Sequence, residues 1–323
     1  MAFEALGDRW SVLILRGVFL GARRFEELIA SAGASRGTLT ARLRFLVNEG
    51  ILHRHRYQLR PVRYEYRLTR MGADLYPTVL MYWLWERRYG GGPDLPHELL
   101  HRTCGRSMQP RLVCRACHEP LAVGSISVET VAEPDERRGR PPKHCLHAGA
   151  GSWRGARSGN VRLIDVVGDR WTALVQASGF FGLHRFADIQ AALLVPTNTL
   201  ADRLRLLVQA GVFERIPYQS NPPRHSYRLT EKGRALYLPV LTMHQWADRW
   251  LLRGRTAPIR LWHRPCGSVA NGAVVCDRCH IELRLSEVEP RWLPQVGRLR
   301  ASSGRAAVDG TGSRALKSVQ TSK

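Results

Sequence analysis

The chain has 323 residues, which is enough for two or more domains with separate cores. It carries 49 Lys and Arg residues against 27 Asp and Glu residues, and the formal net charge of +22 favours a polyanionic partner such as nucleic acid. Its apolar runs, such as "VLMYWLW", fall far short of the ~20 residues of a membrane span, and no secretory leader is recognisable, so we expect a cytoplasmic, nucleoid-associated protein without a membrane partner.

A long segment of the sequence occurs twice. The motif "GDRW" begins at Gly7 and again at Gly168, and the two segments stay alignable at this offset over most of a domain. Self-similarity on this scale indicates a tandem duplication. We name the half that begins at residue 1 copy one, and the half that begins at residue 161 copy two. Residues that occupy the same place in the two copies are called matching residues.

The middle of each copy predicts an amphipathic helix. In "TLTARLRFLVNEGIL" and "TLADRLRLLVQAGVF" apolar residues recur at i, i+4, i+7 and i+8, which is the spacing of a buried stripe. These residues are Leu39, Leu43, Leu46 and Val47 in copy one and Leu200, Leu204, Leu207 and Val208 in copy two. A shorter helical segment, "RFEELIASAG" or "RFADIQAALL", lies just before it, and the pair is typical of a helix-turn-helix.

The rest of each copy predicts a hairpin and a long helix. Strand-like runs such as "ILHRHRYQ" and "RYEYRLT" are joined through Pro61 in copy one and Pro222 in copy two, which predicts a β-hairpin, or wing. Thr69 and Thr230 occupy N-cap positions before a long, tryptophan-bearing apolar helix. In copy one this helix is apolar on more sides than one core needs, so we expect part of it to form an interface between the copies.

These motifs, in this order, resemble the HxlR family of bacterial winged-helix transcription regulators. The resemblance rests on "GDRW", "RF", "TLxxRLrxL", "PPRHSYRLTEKGRALYLPVL" and the tryptophan-bearing last helix, and it covers residues 3–89 and 161–252. It implies a one-domain regulator that homodimerises and binds a palindromic operator, so two fused copies are expected to pack as an internal pseudo-dimer, with further homodimerisation as a second level. Some family members sense oxidants through a cysteine near the start of the first helix. That position falls before Met1 in copy one and near residues 158–160 in copy two, so this switch is not expected here.

Residues off the buried stripe of the central helix are free to face a DNA major groove. The candidates are Arg36, Gly37, Thr38, Thr40, Arg42 and Arg44 in copy one and Thr197, Asn198, Thr199, Asp202, Arg203 and Arg205 in copy two. The guanidinium of Arg36 can donate hydrogen bonds to a guanine base, and the side-chain amide of Asn198 can both donate to and accept from an adenine base. The wings add Arg54, Arg56, Arg60 and Arg63 in copy one and Arg215, Arg224 and His225 in copy two, which suit phosphates or a minor groove.

A simpler interpretation of the same residues is that they are polar because they face solvent. Arg42 and Arg203, one step before a core leucine, are equally consistent with structural ion pairs and with phosphate clamps. If both copies bind DNA, their half-sites lie about one helical turn, roughly 34 Å, apart. Since the outward residues of the two copies differ, the operator is expected to be asymmetric and imperfectly palindromic.

Each copy ends in a segment with the pattern H-x2-C-x9-C-x2-C-H. Cysteines separated by two residues in a tight turn can place both sulfurs on one metal ion, and two such turns complete a tetrahedron. The predicted ligands are His101, Cys104, Cys114 and Cys117 for one Zn2+ and His263, Cys266, Cys276 and Cys279 for a second, so each copy is expected to close its own Cys3His knuckle. Gly105 and Gly267 follow the first cysteine, where a positive φ is expected. A thiol switch and inert reduced cysteines are the competing interpretations.

The predicted fold is mainly α with small β-hairpins: two winged helix-turn-helix domains, each followed by a small zinc-ribbon-like Cys3His knuckle. The predicted boundaries are 1–90 for the first winged domain, 97–122 for its knuckle, 123–160 for a flexible linker, 161–254 for the second winged domain, 259–287 for its knuckle and 288–323 for a basic disordered tail. The sequence has no phosphate loop, nucleophile elbow or paired-carboxylate helix, and a closed Cys3His site has no open position for a catalytic water, so an enzyme is not expected. We expect a sequence-specific, double-stranded DNA-binding repressor. The alternatives are a zinc-stabilised protein- or RNA-interaction module and a thiol-based redox sensor.

Overall fold

The computed structural model describes residues 6, 8–90, 95–131, 166, 168–252 and 254–292. Residues 132–160 of the predicted linker and residues 293–323 of the predicted tail lie outside the described residues. Everything described below belongs to one compact unit of the chain.

Copy one folds as a winged helix-turn-helix. Its elements are α1 (Arg9–Phe19), α2 (Phe25–Ala32), α3 (Arg36–Asn48), β1 (Leu52–Gln58), β2 (Arg63–Leu68), α4 (Arg70–Ala73) and α5 (Tyr76–Tyr89). The predicted stripe on α3 is confirmed, because Leu39, Leu43 and Leu46 are fully buried and Val47 is half-buried. Strands β1 and β2 form the predicted antiparallel hairpin, with Leu52 opposite Leu68.

Copy two repeats the same order, although residues 132–165 before it are not described. Its elements are α6 (Arg170–Ser178), α7 (Phe186–Leu193), α8 (Thr197–Gln209), β7 (Phe213–Gln219), β8 (Arg224–Leu229), α9 (Glu231–Ala235) and α10 (Tyr237–Leu251). A short 3-10 turn, Gly179–Phe181, extends α6. The stripe of α8 is buried at Leu200, Leu204 and Leu207, as predicted.

The long helix expected at the end of each copy is interrupted after one turn. The N-caps are confirmed, since the Thr69 and Thr230 hydroxyls accept hydrogen bonds from backbone N–H groups three residues on, each at 3.1 Å. Proline explains the interruption: Pro77 and Pro239 have no N–H to donate to the carbonyl four residues earlier, where α4 and α9 end. The chain therefore resumes as the separate helices α5 and α10.

The two copies pack through reciprocal contacts of their last helices. Trp85 of α5 is buried in the core of copy two, and its indole N–H donates to the Lys232 carbonyl at 3.0 Å. Trp246 of α10 is buried in the core of copy one, and its indole N–H donates to the Met71 carbonyl at 2.8 Å. The two tryptophans are matching residues, and so are the two residues that accept from them, so the packing follows an approximate two-fold symmetry. The expected interface between the copies is thus formed by these helices.

Ion pairs and the starts of the first helices extend the same contact. Arg88 of copy one lies 2.6 Å from Glu231, and Arg249 of copy two lies 3.1 Å from Asp74. Residues Asp8 and Asp169, which precede α1 and α6, form an antiparallel bridge with each other. Both ends of each winged domain therefore contact the other copy.

The cysteine segments of both copies form one structure, which we call the knuckle module (residues 95–131 and 254–292). Its strands are β3 (Glu98–His101), β4 (Arg106–Met108), β5 (Pro110–Cys114), β6 (Ile126–Thr130), β9 (Ile259–His263), β10 (Ser268–Val269), β11 (Gly272–Cys276) and β12 (Val288–Arg291). Every sheet of this module joins the copies, since β3 pairs with β12, β5 with β11 and β6 with β9. The structure differs here from the predicted boundaries: β6 lies in the predicted linker and β12 at the start of the predicted tail. Both strands are short, and each forms by pairing with a strand of the other copy.

Candidate nucleic-acid interface and metal sites

The outward face of α3 presents several of the predicted contact residues. Helix α3 starts at the N-cap Ser35, whose hydroxyl accepts from the Thr38 N–H at 3.2 Å. Arg36 is exposed but reaches back to Glu26 at 2.8 Å. Thr40 and Arg44 are also exposed, while Thr38 is half-buried. An exposed ion pair is weak, so the guanidinium of Arg36 can exchange Glu26 for another acceptor.

The matching face of α8 carries different groups. Thr197 and Asn198 are exposed at its start, and Thr199 is half-buried. Thr197 Oγ1 accepts a hydrogen bond from Gln190 at 2.8 Å, and Asp202 pairs with Arg205 at 2.8 Å. The two helices therefore offer unlike sets of hydrogen-bonding groups on the same scaffold.

Arg42 and Arg203 lie in ion pairs within the fold. Arg42 is 3.3 Å from Asp8, and Arg203 is 2.6 Å from Asp169. Both carboxylates also cap the first helix of their copy. The structure thus favours the structural alternative for these two arginines, which tie the central helix to the start of the first helix.

The wings present most of the remaining predicted arginines to solvent. Arg54, Arg56, Arg60 and Arg63 are exposed in copy one, as are Arg215 and Arg224 in copy two, where His225 is half-buried. Arg54 stacks over the Tyr64 ring at 4.0 Å, and Arg215 contacts His225 Nδ1 at 2.9 Å. Copy one therefore has the more strongly basic wing.

The eight predicted metal ligands gather into two groups, but not in the predicted combinations. One group is His101, Cys104, Cys276 and Cys279, and the other is Cys114, Cys117, His263 and Cys266. The prediction that each copy closes its own site is therefore wrong. Each group takes the H-x2-C turn of one copy and the C-x2-C turn of the other. We call the first group site A and the second site B.

Strand pairing explains why the turns are exchanged. The residues between Cys104 and Cys114 are mostly extended, and an extended chain advances about 3.3 Å per residue, so the two turns of one copy are carried apart. Pairing of β5 with β11 places Pro110 opposite Cys276 and Gly272 opposite Cys114. At each end of the β5–β11 pair, the C-x2-C turn of one copy therefore lies beside residues of the other copy.

The donor atoms are spaced as they are around one tetrahedral ion. Bonds of about 2.3 Å to sulfur and about 2.0 Å to nitrogen place neighbouring donors about 3.5–3.8 Å apart. In site A, His101 Nδ1 is 3.5 Å from Cys104 Sγ and 3.3 Å from Cys279 Sγ, and Cys104 Sγ is 4.0 Å from Cys276 Sγ. In site B, His263 Nδ1 is 3.4 Å from Cys117 Sγ and from Cys266 Sγ. The donor set and its spacing fit zinc.

Local backbone geometry supports the same interpretation. Gly105 and Gly267 have φ of 66° and 64°, which confirms the expected left-handed position after the first cysteine. Hydrogen bonds from the Ser268 N–H and the His263 ring lower the pKa of the Cys266 thiol to about 6, whereas burial raises the pKa of the Cys276 thiol to about 11. His118 and His280 are exposed and belong to neither group.

Sequence comparison assigns the winged domains. The model of the HxlR-like helix-turn-helix family matches residues 5–92 and 166–255, which are more than half of the chain. The chain belongs to the HxlR-like helix-turn-helix family. The family resemblance expected from the sequence, and its occurrence in both copies, are confirmed.

Relatives of this HxlR-like chain are named as transcriptional regulators. The uncharacterized HTH-type transcriptional regulator Rv3095 of Mycobacterium tuberculosis is 42% identical over 142 residues, which are 44% of this chain and 90% of that protein. The HTH-type transcriptional regulator YodB of Bacillus subtilis is 34% identical over 92 residues, 28% of this chain and 82% of that protein. The crystal structure of PA1607 matches with 30% identity and a TM-score of 0.33, over 48% of this chain and 98% of that one. Membership in the HxlR-like family, together with these sequence relatives, identifies the chain as a transcriptional regulator rather than an enzyme, as expected.

None of the helices among the described residues is long and apolar enough to cross a membrane.

Proposed function

We propose that this HxlR-like regulator binds duplex DNA sequence-specifically as an internal pseudo-dimer and represses transcription. The observation that supports this most directly is the reciprocal insertion of Trp85 and Trp246, each into the core of the other copy. This packing fixes two winged domains relative to each other within one chain. Such an arrangement suits two half-sites on one side of a duplex.

The proposed base contacts lie on the outward faces of α3 and α8. In copy one they are Arg36, Gly37, Thr38, Thr40 and Arg44, and in copy two Thr197, Asn198, Thr199, Asp202 and Arg205. The wings are proposed to contact phosphates or a minor groove through Arg54, Arg56, Arg60, Arg63, Arg215, Arg224 and His225. Because α3 and α8 differ at these positions, the operator is proposed to be asymmetric.

A matched pair of variants tests this assignment. An operator is first selected from random duplexes with the wild-type protein, and Arg44→Ala and Arg205→Ala, which change matching residues of the two copies, are then compared on it. Each is expected to weaken binding by about 1–3 kcal/mol and to relax preference in a different half-site. The control, Arg56→Ala in the wing, is expected to weaken all duplexes alike and to reduce the salt slope by about one.

Two outcomes contradict the proposal. If Arg44→Ala and Arg205→Ala relax the base preference in the same half-site, the two copies do not contact separate half-sites of the duplex. If the wild-type protein fails to bind duplex DNA across a range of salt concentrations, a protein- or RNA-interaction module becomes the better interpretation.

We further propose that sites A and B each bind one structural Zn2+. The three thiolates and one imidazole of each site complete four-fold coordination and leave no open position, so the ion has no catalytic role. Both sites draw ligands from both copies, so zinc here is proposed to join the copies beside α5 and α10. The knuckle module packs on these helices through Leu112 and Val274.

A thiol-based redox sensor is the second candidate. The Sγ atoms of Cys104 and Cys276 lie 4.0 Å apart, and those of Cys114 and Cys266 lie 3.9 Å apart. Each pair of thiols could form a disulfide between the copies by giving two electrons and two protons to an oxidant. Zinc content of the freshly purified, reduced protein separates the two roles. Two ions per chain, with thiols that a mild oxidant does not couple, favour structural zinc, whereas a metal-free protein that forms both disulfides reversibly favours the sensor.

A further inference from the structure

An apolar pocket of about 210 Å³ lies where copy one, copy two and the knuckle module meet. Its walls are Phe19 of α1, Val79 of α5, Met243 of α10, and Leu99 and Val288 of the paired strands β3 and β12. Arg16 and Glu86 also line the pocket and carry opposite charges, so the lining favours a neutral occupant. No part of the proposed DNA contact surface or of sites A and B is used to form it.

One polar group in the wall, the hydroxyl of Thr78, is buried without a hydrogen-bond partner among the described residues. Thr78 lines the pocket and is only 4% exposed, and its Oγ1 has no hydrogen-bond partner within the part of the chain that the structure describes. A buried hydroxyl without a partner destabilises the fold, and an aliphatic side chain at the same place avoids that cost. A hydroxyl in this position therefore points to a ligand that supplies the partner.

Several residues that line the pocket from copy one differ in chemistry from their matching residues in copy two. Leu15, Thr78 and Trp83 of the pocket have Gln176, Pro239 and His244 as their matching residues in copy two. Copy two thus has an amide, a proline and an imidazole where copy one has a leucine, a threonine and a tryptophan. The lining of the pocket therefore does not repeat across the duplication.

We propose that this pocket binds a neutral, mainly apolar small molecule of about two fused rings that bears one hydroxyl or carbonyl group. The size follows from the volume, because a cavity of about 150 Å³ accommodates benzene. The polar substituent follows from Thr78, whose hydroxyl can donate to it or accept from it. The bound molecule contacts α1, which packs against the recognition helix α3 of copy one through the core shared by Leu15 and Leu39.

Binding of 2-naphthol and of naphthalene to the full chain, measured by isothermal titration calorimetry at pH 7, tests the proposal. The wild-type protein is expected to bind both in a 1:1 ratio, with 2-naphthol the tighter ligand. Thr78→Val removes the hydroxyl at nearly constant shape, so it is expected to weaken 2-naphthol about 2- to 10-fold and to leave naphthalene unchanged. Val79→Phe fills the pocket and is expected to abolish binding of both probes.

Val240→Phe is the matched control for Val79→Phe, since it makes the same change at the matching residue of copy two, outside the pocket. It is expected to leave both affinities at the wild-type value. Circular dichroism of each variant establishes that it is folded, and if Val79→Phe is not folded, the selective effect of Thr78→Val on 2-naphthol decides. The proposal is overturned if the wild-type protein binds neither probe, if Thr78→Val weakens both probes equally, or if folded Val79→Phe retains binding.

Discussion

The two copies share a scaffold but differ at its surface, and the difference separates structural from recognition residues. Arg42 and Arg203 both reach the carboxylate that caps their first helix, and Trp85 and Trp246 both enter the opposite core. By contrast, the outward faces of α3 and α8, the charges of the wings and the lining of the apolar pocket do not repeat. Within one chain, positions that repeat across the duplication therefore hold the fold, and those that diverge are the candidates for ligand and DNA contact.

Removal of the proposed metal ligands tests the exchanged grouping and has the largest expected effect. Cys104→Ala with Cys279→Ala removes two ligands of site A, so one zinc ion per chain is expected to remain. Cys104→Ala with Cys117→Ala damages both sites although both residues belong to copy one, so no zinc is expected. Native mass spectrometry counts the ions directly.

The opposite result in these double variants, two sites lost in the first and one in the second, means that each copy closes its own knuckle. Structural zinc contributes about 10 kcal/mol or more to folding in zinc-finger peptides. Loss of both sites is therefore expected to unfold the knuckle module, whereas the first double variant is expected to keep a destabilised module.

The exchanged tryptophans give the next largest effect. Trp85 and Trp246 are 2% and 3% exposed, and each indole N–H also bonds to a carbonyl of the other copy. Trp85→Ala and Trp246→Ala are each expected to lower the free energy of unfolding by about 3–5 kcal/mol, measured by urea denaturation. Trp292→Ala, at a half-exposed position, is the control and is expected to cost much less. A cost near that of the control in either core variant contradicts reciprocal packing.

Much of the winged fold was predictable because the information is local. The spacing of Leu39, Leu43 and Leu46 predicts the buried face of α3, and the strand pattern beside Pro61 predicts the wing, since both depend on neighbours within about ten residues. The break between α4 and α5 was not predicted. Pro77 carried the signal for it, since proline removes the hydrogen bond to Ala73.

The proposed metal sites show which part of the structure could not be predicted from neighbouring residues in the sequence. The eight candidate ligands follow from the H-x2-C and C-x2-C turns, but both copies have identical spacing, so the sequence could not distinguish sites within a copy from sites shared between copies. That choice depends on pairing of β5 with β11, whose facing residues come from different copies and are remote in sequence. The apolar pocket could not be predicted from the sequence for the same reason, because its walls come from elements of both copies and the knuckle module that are remote in sequence.

The paired arginines Arg203 and Arg42 provide a smaller and more quantitative comparison. Arg203 lies 2.6 Å from Asp169 and is 13% exposed, whereas Arg42 lies 3.3 Å from Asp8 and is 26% exposed. Arg203→Ala is therefore expected to destabilise the chain by about 1–3 kcal/mol, and Arg42→Ala by less. Urea denaturation of Arg203→Ala, Asp169→Ala and the double variant is expected to give a coupling energy of about 1 kcal/mol. Coupling near zero, with a reduced salt slope of DNA binding in Arg203→Ala, would instead identify a phosphate clamp.

The turn before each recognition helix gives the smallest expected effect. Leu194 has a φ of 49° and is 80% exposed, while the matching residue of copy one is Gly33, with a φ of 64°. A left-handed conformation costs a side-chain-bearing residue about 1–2 kcal/mol, and glycine loses part of that advantage to its flexibility in the unfolded chain. Leu194→Gly is thus expected to raise the free energy of unfolding by about 0.5–1 kcal/mol.

The converse change, Gly33→Leu, is expected to lower the free energy of unfolding by a similar amount. A Cβ at Gly33 would meet no atom within 4 Å, so only the backbone conformation opposes the leucine. Urea denaturation of the two variants measures both changes against the wild-type chain. If Leu194→Gly instead destabilises the protein, the Leu194 side chain makes contacts that outweigh the cost of its left-handed backbone. Such contacts would distinguish the turn of copy two from that of copy one, where Gly33 has no side chain.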